Sequence, residues 1–399
     1  MLHIFTSAAV NYIPKVRLLT ESIRKFHPEA SIHLALADEL PPDLPLDESF
    51  TSVWSVADLG ITDWRTWAFG HSIVELATAI KPFVLEKLLT QDGDRVIYLD
   101  PDTVLYSRLD DVLVTLDNAS IALTPHQVQA ESDWQAILDN EICSLQHGIY
   151  NLGFVAVAAT AAGREFAAWW RERCYRLCID DIPNGLFTDQ RWIDLVPALF
   201  PEVAILRTPR LNVSTWNLSQ RRVTRENGQL LVNGDLLGFY HYTGFDSGAH
   251  RIVAQRYAVN SPVVFDLIDW YAEKINVTAS DPLSKHRWAF STFDNGESIS
   301  KIQRRIYRTR ADLQNTFPDP FKSSGYLAWW KTTGIHEYRN CDKKSSSIPL
   351  IQGPKKKVWD ALTDAIEKPA LLKAYLLRIK QMIQTQGWRE FLKDTRSRF

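Results

Sequence analysis

The chain has 399 residues, 45% apolar and 23% charged, a composition that supports a large buried core and a length that suits two domains. No apolar run approaches the roughly 20 residues of a membrane helix, and the opening "MLHIFTSAAVNYIP" reads as a first strand rather than a signal peptide. Four cysteines without CxxC spacing argue against a disulfide framework or zinc site and suit reduced thiols in a cytoplasmic setting.

In chain order, "LHIFTSA" (2–8) reads as a strand, "KVRLLTESIRKFHP" (15–28) as a helix stopped by proline, and "SIHLALAD" (31–38) as a second strand ending at an acid. "ELPPDLPLDESF" is loop. "SIVELATAIKPFVLEKLLTQ" (72–91) has helical spacing and restarts at Lys81-Pro82, and "DRVIYLD" is the next strand. This alternation predicts an α/β domain with a mostly parallel sheet and flanking helices, whose ligands sit beyond the carboxyl ends of the strands. Further strands are expected at 120–125, 151–159 and 236–244, and a helix at 163–178. After about residue 255 the sheet signals fade. Two domains are therefore expected, 1–255 as the α/β domain and 256–399 as a mainly helical, basic extension, with a loop at 343–357 and a helix at 356–384.

Charge divides along the same line. Residues 1–300 carry 24 Lys+Arg against 38 Asp+Glu (24 − 38 = −14), and residues 301–399 carry 21 against 9 (21 − 9 = +12). The basic part is expected either to meet something anionic, such as phospholipid heads at the inner face of a membrane, or to be a solvated appendage. "RRIYRTR" (304–310) is its densest run. A nucleic-acid partner is not expected, because the acidic N-terminal part would repel a phosphate backbone.

The strand "RVIYLDPDTVLY" (95–106) ends in two acids, Asp100 and Asp102. Carboxylates at i and i+2 after a buried strand can meet one hard divalent cation, Mg²⁺ or Mn²⁺, which keeps positions open for phosphate oxygens. Three readings compete: a strand-end turn whose acids cap the next element, a haloacid-dehalogenase-like phosphohydrolase with Asp100 as nucleophile, and the D-x-D of a nucleotide-sugar transferase. The phosphohydrolase motif normally opens a chain, and "NGDLLGF" lacks the last acid of its partner motif.

Taken in order, the segments resemble GT-A fold glycosyltransferases, most of all the family 8 group of glycogenin and lipopolysaccharide galactosyltransferases. The segments are "IFTSAAVNYIPKVRLLTESI", "ELATAIKPFVLEKLL", "VIYLDPDTVLY", "YNLGFVAV", "FTDQRWIDLV", "LNVSTWN" and "FYHYTGFDSG", and the likeness covers residues 2–250. It implies a metal-dependent hexosyltransferase, retaining in configuration. The metal ligands would be Asp100, Asp102 and His241. Thr6, Ala8, Tyr12, Asp38, Lys81 and the two acids would border a nucleotide-sugar donor, UDP-sugar favoured. Asp189 and Gln190 would stand at the reacting centre, and Asn151, Gly153, Trp216 and Asn217 near the sugar and a glycan or lipid-linked acceptor. Bland readings stand beside these: a helix N-cap for Asp189, a strand-start turn for Asn151 and Gly153, a solvated loop acid for Asp38, and core packing for Trp216. Two positions depart from the group. Ala8, Ala9 and Val10 stand where an acid precedes "NY", and Asp246-Ser247-Gly248 follows H-x-x-G where a lysine is usual; His250, Arg251 or Arg222 would have to replace its charge. A non-catalytic carbohydrate- or membrane-binding protein on a degenerate transferase fold is the remaining alternative.

Overall fold

The strands begin with β1 (Leu2–Ala8), β2 (Ser31–Leu36), β3 (Ser52–Ser55), β4 (Arg95–Leu99) and β5 (Thr103–Leu105). They continue with β6 (Ile121–Pro125), β7 (Tyr150–Ala158), β8 (Ile179–Asp181), β9 (Leu186–Thr188) and β10 (Val203–Ile205). Three short strands, β11 (Val223–Glu226), β12 (Gln229–Val232) and β13 (Asp235–Leu236), precede β14 (Phe239–His241). The computed structural model describes residues 1–41 and 49–338, and all of these belong to one compact unit. The loop expected at 39–50 falls partly, and the expected 343–357 loop and 356–384 helix fall wholly, outside the described residues.

The central sheet has the order β10-β6-β7-β4-β1-β2-β3. Its pairs are parallel except those of β7, which runs antiparallel to both β4 and β6. All nine residues of β7 are buried, as expected of a strand covered on both faces. Because β7 is reversed, its first residues reach the sheet edge where β1, β2, β4 and β6 end. Leu99 pairs with Phe154, and Gly153 O accepts the Asp100 N–H at 2.9 Å. That edge is where a mostly parallel sheet leaves a crevice for ligands.

The flanking helices follow local chemistry. The helix Ile13–Phe26 opens with Pro14 in its first turn and buries Val16, Leu19 and Ile23; Leu19 and Ile23 join Ile4, Ile97, Leu99 and Phe239 in one apolar cluster, and Val16 joins Leu34 and Leu36 in another. Ser72 and Glu75 close a reciprocal capping box on Ile73–Ala79. Pro82, in the first turn of Lys81–Leu88, has no N–H to lose there, so the chain restarts a helix at Lys81, where the sequence predicts a break.

Among the described residues three small sheets accompany the main one, one of them the β8–β9 pair. β14 pairs antiparallel with β5, His241 opposite Thr103. The segment predicted as a long strand at 236–244 is thus split between β13 and a three-residue ribbon strand outside the main sheet. β11, β12 and β13 form a meander whose turns are Asn227-Gly228 and Asn233-Gly234, all with positive φ, as two-residue hairpin turns of this type require.

Residues 256–338 belong to this same unit. Helices run over Ala249–Tyr257, Val263–Thr278 and Lys301–Thr309, and Phe69 meets Tyr307 and Phe321 at ring distances of 5.0 Å. The arginines of "RRIYRTR" are spent internally. Arg304 donates to the carbonyls of Phe69 and Phe290, Arg305 pairs with Asp181, Arg308 reaches the Cys178 carbonyl, and Arg310 pairs with Asp312 and Glu337. This run stitches the chain together and is not a free cationic face. No helix among the described residues is long and apolar enough to cross a membrane.

Candidate active site

Asp100 and Asp102 leave the end of β4 on a turn stiffened by Pro101, with Thr103 Oγ1 and N–H both donating to the Asp100 carbonyl. His241 reaches them from the other strand of the ribbon. Its N–H donates to Val213 O, and the Tyr242 N–H donates to Asp102 O at 2.9 Å. His241 Nε2 thereby lies 3.1 Å from Asp102 Oδ1 and 3.7 Å from Asp100 Oδ2.

Behind the acids stands Lys81. Its ammonium is 3.3 Å from Asp100, 3.1 Å from Asp189 and 3.1 Å from the Leu152 carbonyl, and it lies over the Tyr98 ring. Tyr98 OH donates to Asp100 Oδ1 at 2.5 Å. Burial by itself would lower the Lys81 pKa, but Asp100 and Asp189 outweigh it and raise it, so the lysine stays charged. Burial raises the Asp189 carboxyl, opposed by Lys81. Burial pulls the His241 imidazole down, and the attraction of Asp102 more than reverses this.

The donor set fits a divalent cation. Asp100, Asp102 and His241 bring one oxygen or nitrogen each within 4.8 Å of one another, and neighbouring ligands of a cation bound at about 2.1 Å are about 3 Å apart. The one ammonium of Lys81 is shared between Asp100 and Asp189, while Asp102 faces His241. The Nδ1 of His241 faces Asn212 Oδ1 at 3.2 Å. An amide oxygen only accepts, so Nδ1 carries a hydrogen, and with a cation at the acids Nε2 would be free to offer it a lone pair. These residues could hold a metal ion.

The other expected residues fall into two groups. Tyr12 stays near the acids: its hydroxyl lies 3.3 Å from Asp246 and the Lys15 ammonium is over its ring at 4.5 Å. Lys15 is in turn paired with Asp246 at 2.6 Å. Burial first, then the nearby Asp102, raises the Tyr12 pKa. Trp216 stands edge-on to the rings of His126 and His241, at 5.1 and 5.3 Å.

The second group is buried, and apart from Ala8 and from Thr6, whose hydroxyl has no hydrogen-bond partner, it is engaged by the protein itself. Thr6 and Ala8 lie within β1. The Asp38 carboxylate accepts the backbone N–H groups of Val10, Glu39 and Ala289, which makes it a clamp between the strand ends and the 286–290 segment. Asn217 caps its own turn and donates to the His126 and Asn212 carbonyls. Gln190 accepts from Leu152 N and donates to His147 O. Asp189 is at the N-cap position of Gln190–Ile193 but makes no capping bond; its side chain goes to Lys81 and Thr188 instead. Among the suggested replacement cations, His250 is buried against Tyr240 and the Thr243 carbonyl, and Arg251 pairs with Asp269. Arg222 stands at the foot of the β11–β12 hairpin.

Lys15, His126 and Asn212 were not singled out from sequence as site residues. A histidine directly after a strand, in "SIALTPH", was the available signal for His126. Asn212 is one of few non-glycine residues with positive φ, at 53°, which sequence does not announce.

No protein-family model matches the chain. It is similar to two Bacillus subtilis proteins described as uncharacterized. YfnF is 30% identical over 176 residues, covering 43% of this chain and 57% of the relative, and YfnD is 26% identical over 175 residues, covering 43% and 54%. The chain thus matches just over half the length of these relatives. Among solved structures, it is similar to the galactosyltransferase LgtC in complex with donor and acceptor sugar analogues, at 15% identity and a TM-score of 0.41 over 71% of this chain and 98% of that one. It is also similar to mouse xyloside xylosyltransferase 1, at 13% identity and a TM-score of 0.37 over 61% and 97%.

Proposed function

We propose that the protein is a metal-dependent GT-A glycosyltransferase that moves a hexose from a nucleotide-diphosphate donor to a glycan or lipid-linked acceptor. The observation that carries this reading is the convergence of Asp100, Asp102 and His241, three ligands from two distant stretches of chain, at the carboxyl edge of a mostly parallel sheet. A Mn²⁺ or Mg²⁺ ion held there would supply charge stabilisation to a departing diphosphate.

In the transfer, the bond between the anomeric carbon and the diphosphate oxygen breaks, and the electron pair leaves with the nucleoside diphosphate. The acceptor oxygen bonds to that carbon and gives up its proton. The chain's own residues prepare the site. Lys81 pairs with Asp100 and Asp189 and holds them in place. Tyr12 offers a ring face for the nucleoside. Lys15, held over that ring by Asp246, is the cation we assign to the donor phosphates, in the role the residues after H-x-x-G do not fill. Asp189 faces the reacting centre across Lys81, and Gln190 holds the start of β7. Retention of configuration follows the resemblance to the family 8 group, and a UDP-sugar is the favoured donor.

The test is a donor-hydrolysis screen across UDP- and GDP-sugars with Mn²⁺ and Mg²⁺, on the wild type and Asp102→Asn. Metal-dependent release of the nucleoside diphosphate, lost in the variant, is expected. Hydrolysis of p-nitrophenyl phosphate with an aspartyl-phosphate at Asp100 would replace this reading with a phosphohydrolase. Sugar-nucleotide binding indifferent to metal and to Asp102→Asn, without turnover, would replace it with a non-catalytic binder.

A further inference from the structure

We propose that Asn212, Asn151 and His126 form a hydrogen-bonded relay that holds His241 with Nε2 turned to the two acids, so that these three are positioning residues for the metal centre. The inference rests on the reading of Asp100, Asp102 and His241 as metal ligands.

The relay starts at a fixed point. His126 Nδ1 is 3.2 Å from the Ile149 carbonyl, which only accepts, so Nδ1 carries the hydrogen and Nε2 is an acceptor. Asn151 Nδ2 donates to that Nε2 at 3.2 Å. This turns Asn151 Oδ1 the other way, where it accepts from Gly153 N and from Asn212 Nδ2, each at 3.0 Å. Asn212 Nδ2 also donates to Thr124 Oγ1 at 2.9 Å. The Asn212 oxygen is thereby left to face His241 Nδ1 at 3.2 Å. Each step fixes the next, because reversing either amide would set donor against donor and acceptor against acceptor.

All four residues are buried, so an unpaired group in the relay would cost about 1–3 kcal/mol. The arrangement is therefore held in one sense. Asn212 sits at φ 53°, a conformation asparagine tolerates better than most residues. Glycine would be the easier choice for the backbone alone, and only the side chain gives a reason for asparagine. Trp216, edge-on to both imidazoles, packs the two ends of the relay into one block. Partners that orient a ligating histidine typically change metal affinity about 10- to 100-fold when removed.

The experiment measures Mn²⁺ binding to the full chain by the electron paramagnetic resonance signal of the free ion, with no sugar nucleotide present. Asn212→Gly keeps the backbone conformation and removes the acceptor; it should bind Mn²⁺ about 10- to 100-fold more weakly than wild type. Asn212→Asp keeps an oxygen for Nδ1 and should bind more tightly than Asn212→Gly. His126→Phe keeps a ring beside Trp216 but cannot accept from Asn151, and should weaken binding at least about threefold without touching a ligand. Circular dichroism checks that each variant is folded, and His126→Phe decides the matter if Asn212→Gly is not. The relay is overturned if the folded variants bind Mn²⁺ as the wild type does, or if Asn212→Asp is no better than Asn212→Gly. If the wild type itself binds neither Mn²⁺ nor Mg²⁺, the metal reading falls and takes the relay with it.

Discussion

Gly153 and His241 are packed so closely that a Cβ on Gly153 would stand 2.4 Å from the imidazole Cε1 and 2.7 Å from Nδ1. The glycine is there for close approach and not for an unusual backbone angle, since its φ is not positive. Gly153 is tied to Asp100 through its carbonyl, so it fixes the distance between one acid and the imidazole.

Gly153→Ala is therefore expected to push the ring off the acids. Overpacking of a tight site costs about 1–3 kcal/mol, and the displaced ligand should weaken Mn²⁺ binding by at least about tenfold. Isothermal titration with Mn²⁺ beside urea unfolding separates the two effects. A variant that binds the ion normally would show that the imidazole is not a ligand in its present place.

Lys81 is the counter-charge to two carboxylates and is itself only 3% exposed. Lys81→Met removes it and strands Asp100 and Asp189, a loss of about 3–5 kcal/mol in a buried pair. The penalty should depend on pH. Burial already raises the Asp189 carboxyl, and without the lysine only the Thr188 hydrogen bond opposes that rise. A carboxyl raised in the folded state is tolerated while protonated and costs stability as pH climbs towards its folded pKa. The variant should thus be closer to wild type at pH 5 than at pH 8 in urea unfolding. Equal losses at both values would mean that Asp189 does not carry the unpaired charge.

How much of this was readable beforehand varies with how local the cause is. β1, the helix after it, the restart at Lys81-Pro82 and the acids ending β4 follow from periodicity, proline chemistry and strand-end composition, all properties of short windows. The reversed direction of β7 was not readable, because a strand buried on both faces has the same apolar run in either sense. The meander of β11–β13 was readable and missed: Asn227-Gly228 and Asn233-Gly234 are strong hairpin signals. At the site, residue types pointed to the metal triad. They did not reveal that Asp38 and Asn217 spend their polar atoms on backbone, nor that the charges of "RRIYRTR" are consumed internally. Those outcomes depend on partners tens to hundreds of residues away, as with Asp38 and Ala289.

Lys15 is partly exposed and is held by a more accessible carboxylate, with side-chain exposures of 20% and 55% for Lys15 and Asp246. Surface pairs of this kind contribute about 0–1 kcal/mol, so breaking this one to meet a phosphate costs little. Lys15→Met should leave thermal stability unchanged within about a degree or two and raise the donor KM several-fold, with a smaller effect on Mn²⁺ affinity. Asp246→Asn, which frees the lysine, should lower the donor KM or leave it unchanged. An unaltered KM in Lys15→Met would remove Lys15 from the donor site.

Three histidines, His33, His126 and His250, are lowered by burial to about 4. They are neutral in the folded protein well below the range where a solvated histidine, with pKa about 6.5, gains its proton. Between about 6.5 and 4 the unfolded chain therefore binds more protons than the folded one. Stability is fully present above the unfolded value and falls as pH drops through this window, by up to about 1.4 kcal/mol per pH unit for each histidine. Thermal melting without added metal should show a nearly flat midpoint from pH 8 to 7 and a steep decline from pH 6 to 4.5. His33 lies in β2, two strands from β4, and contacts His3 and Trp54 rather than the acids, so His33→Asn should flatten that decline while leaving Mn²⁺ binding intact. His126→Phe should flatten it and weaken Mn²⁺ binding together, because its ring both stays neutral in the core and anchors the relay to His241. A decline that neither substitution softens would place the acid sensitivity in the other buried histidines, His71 and His250, or in carboxylates.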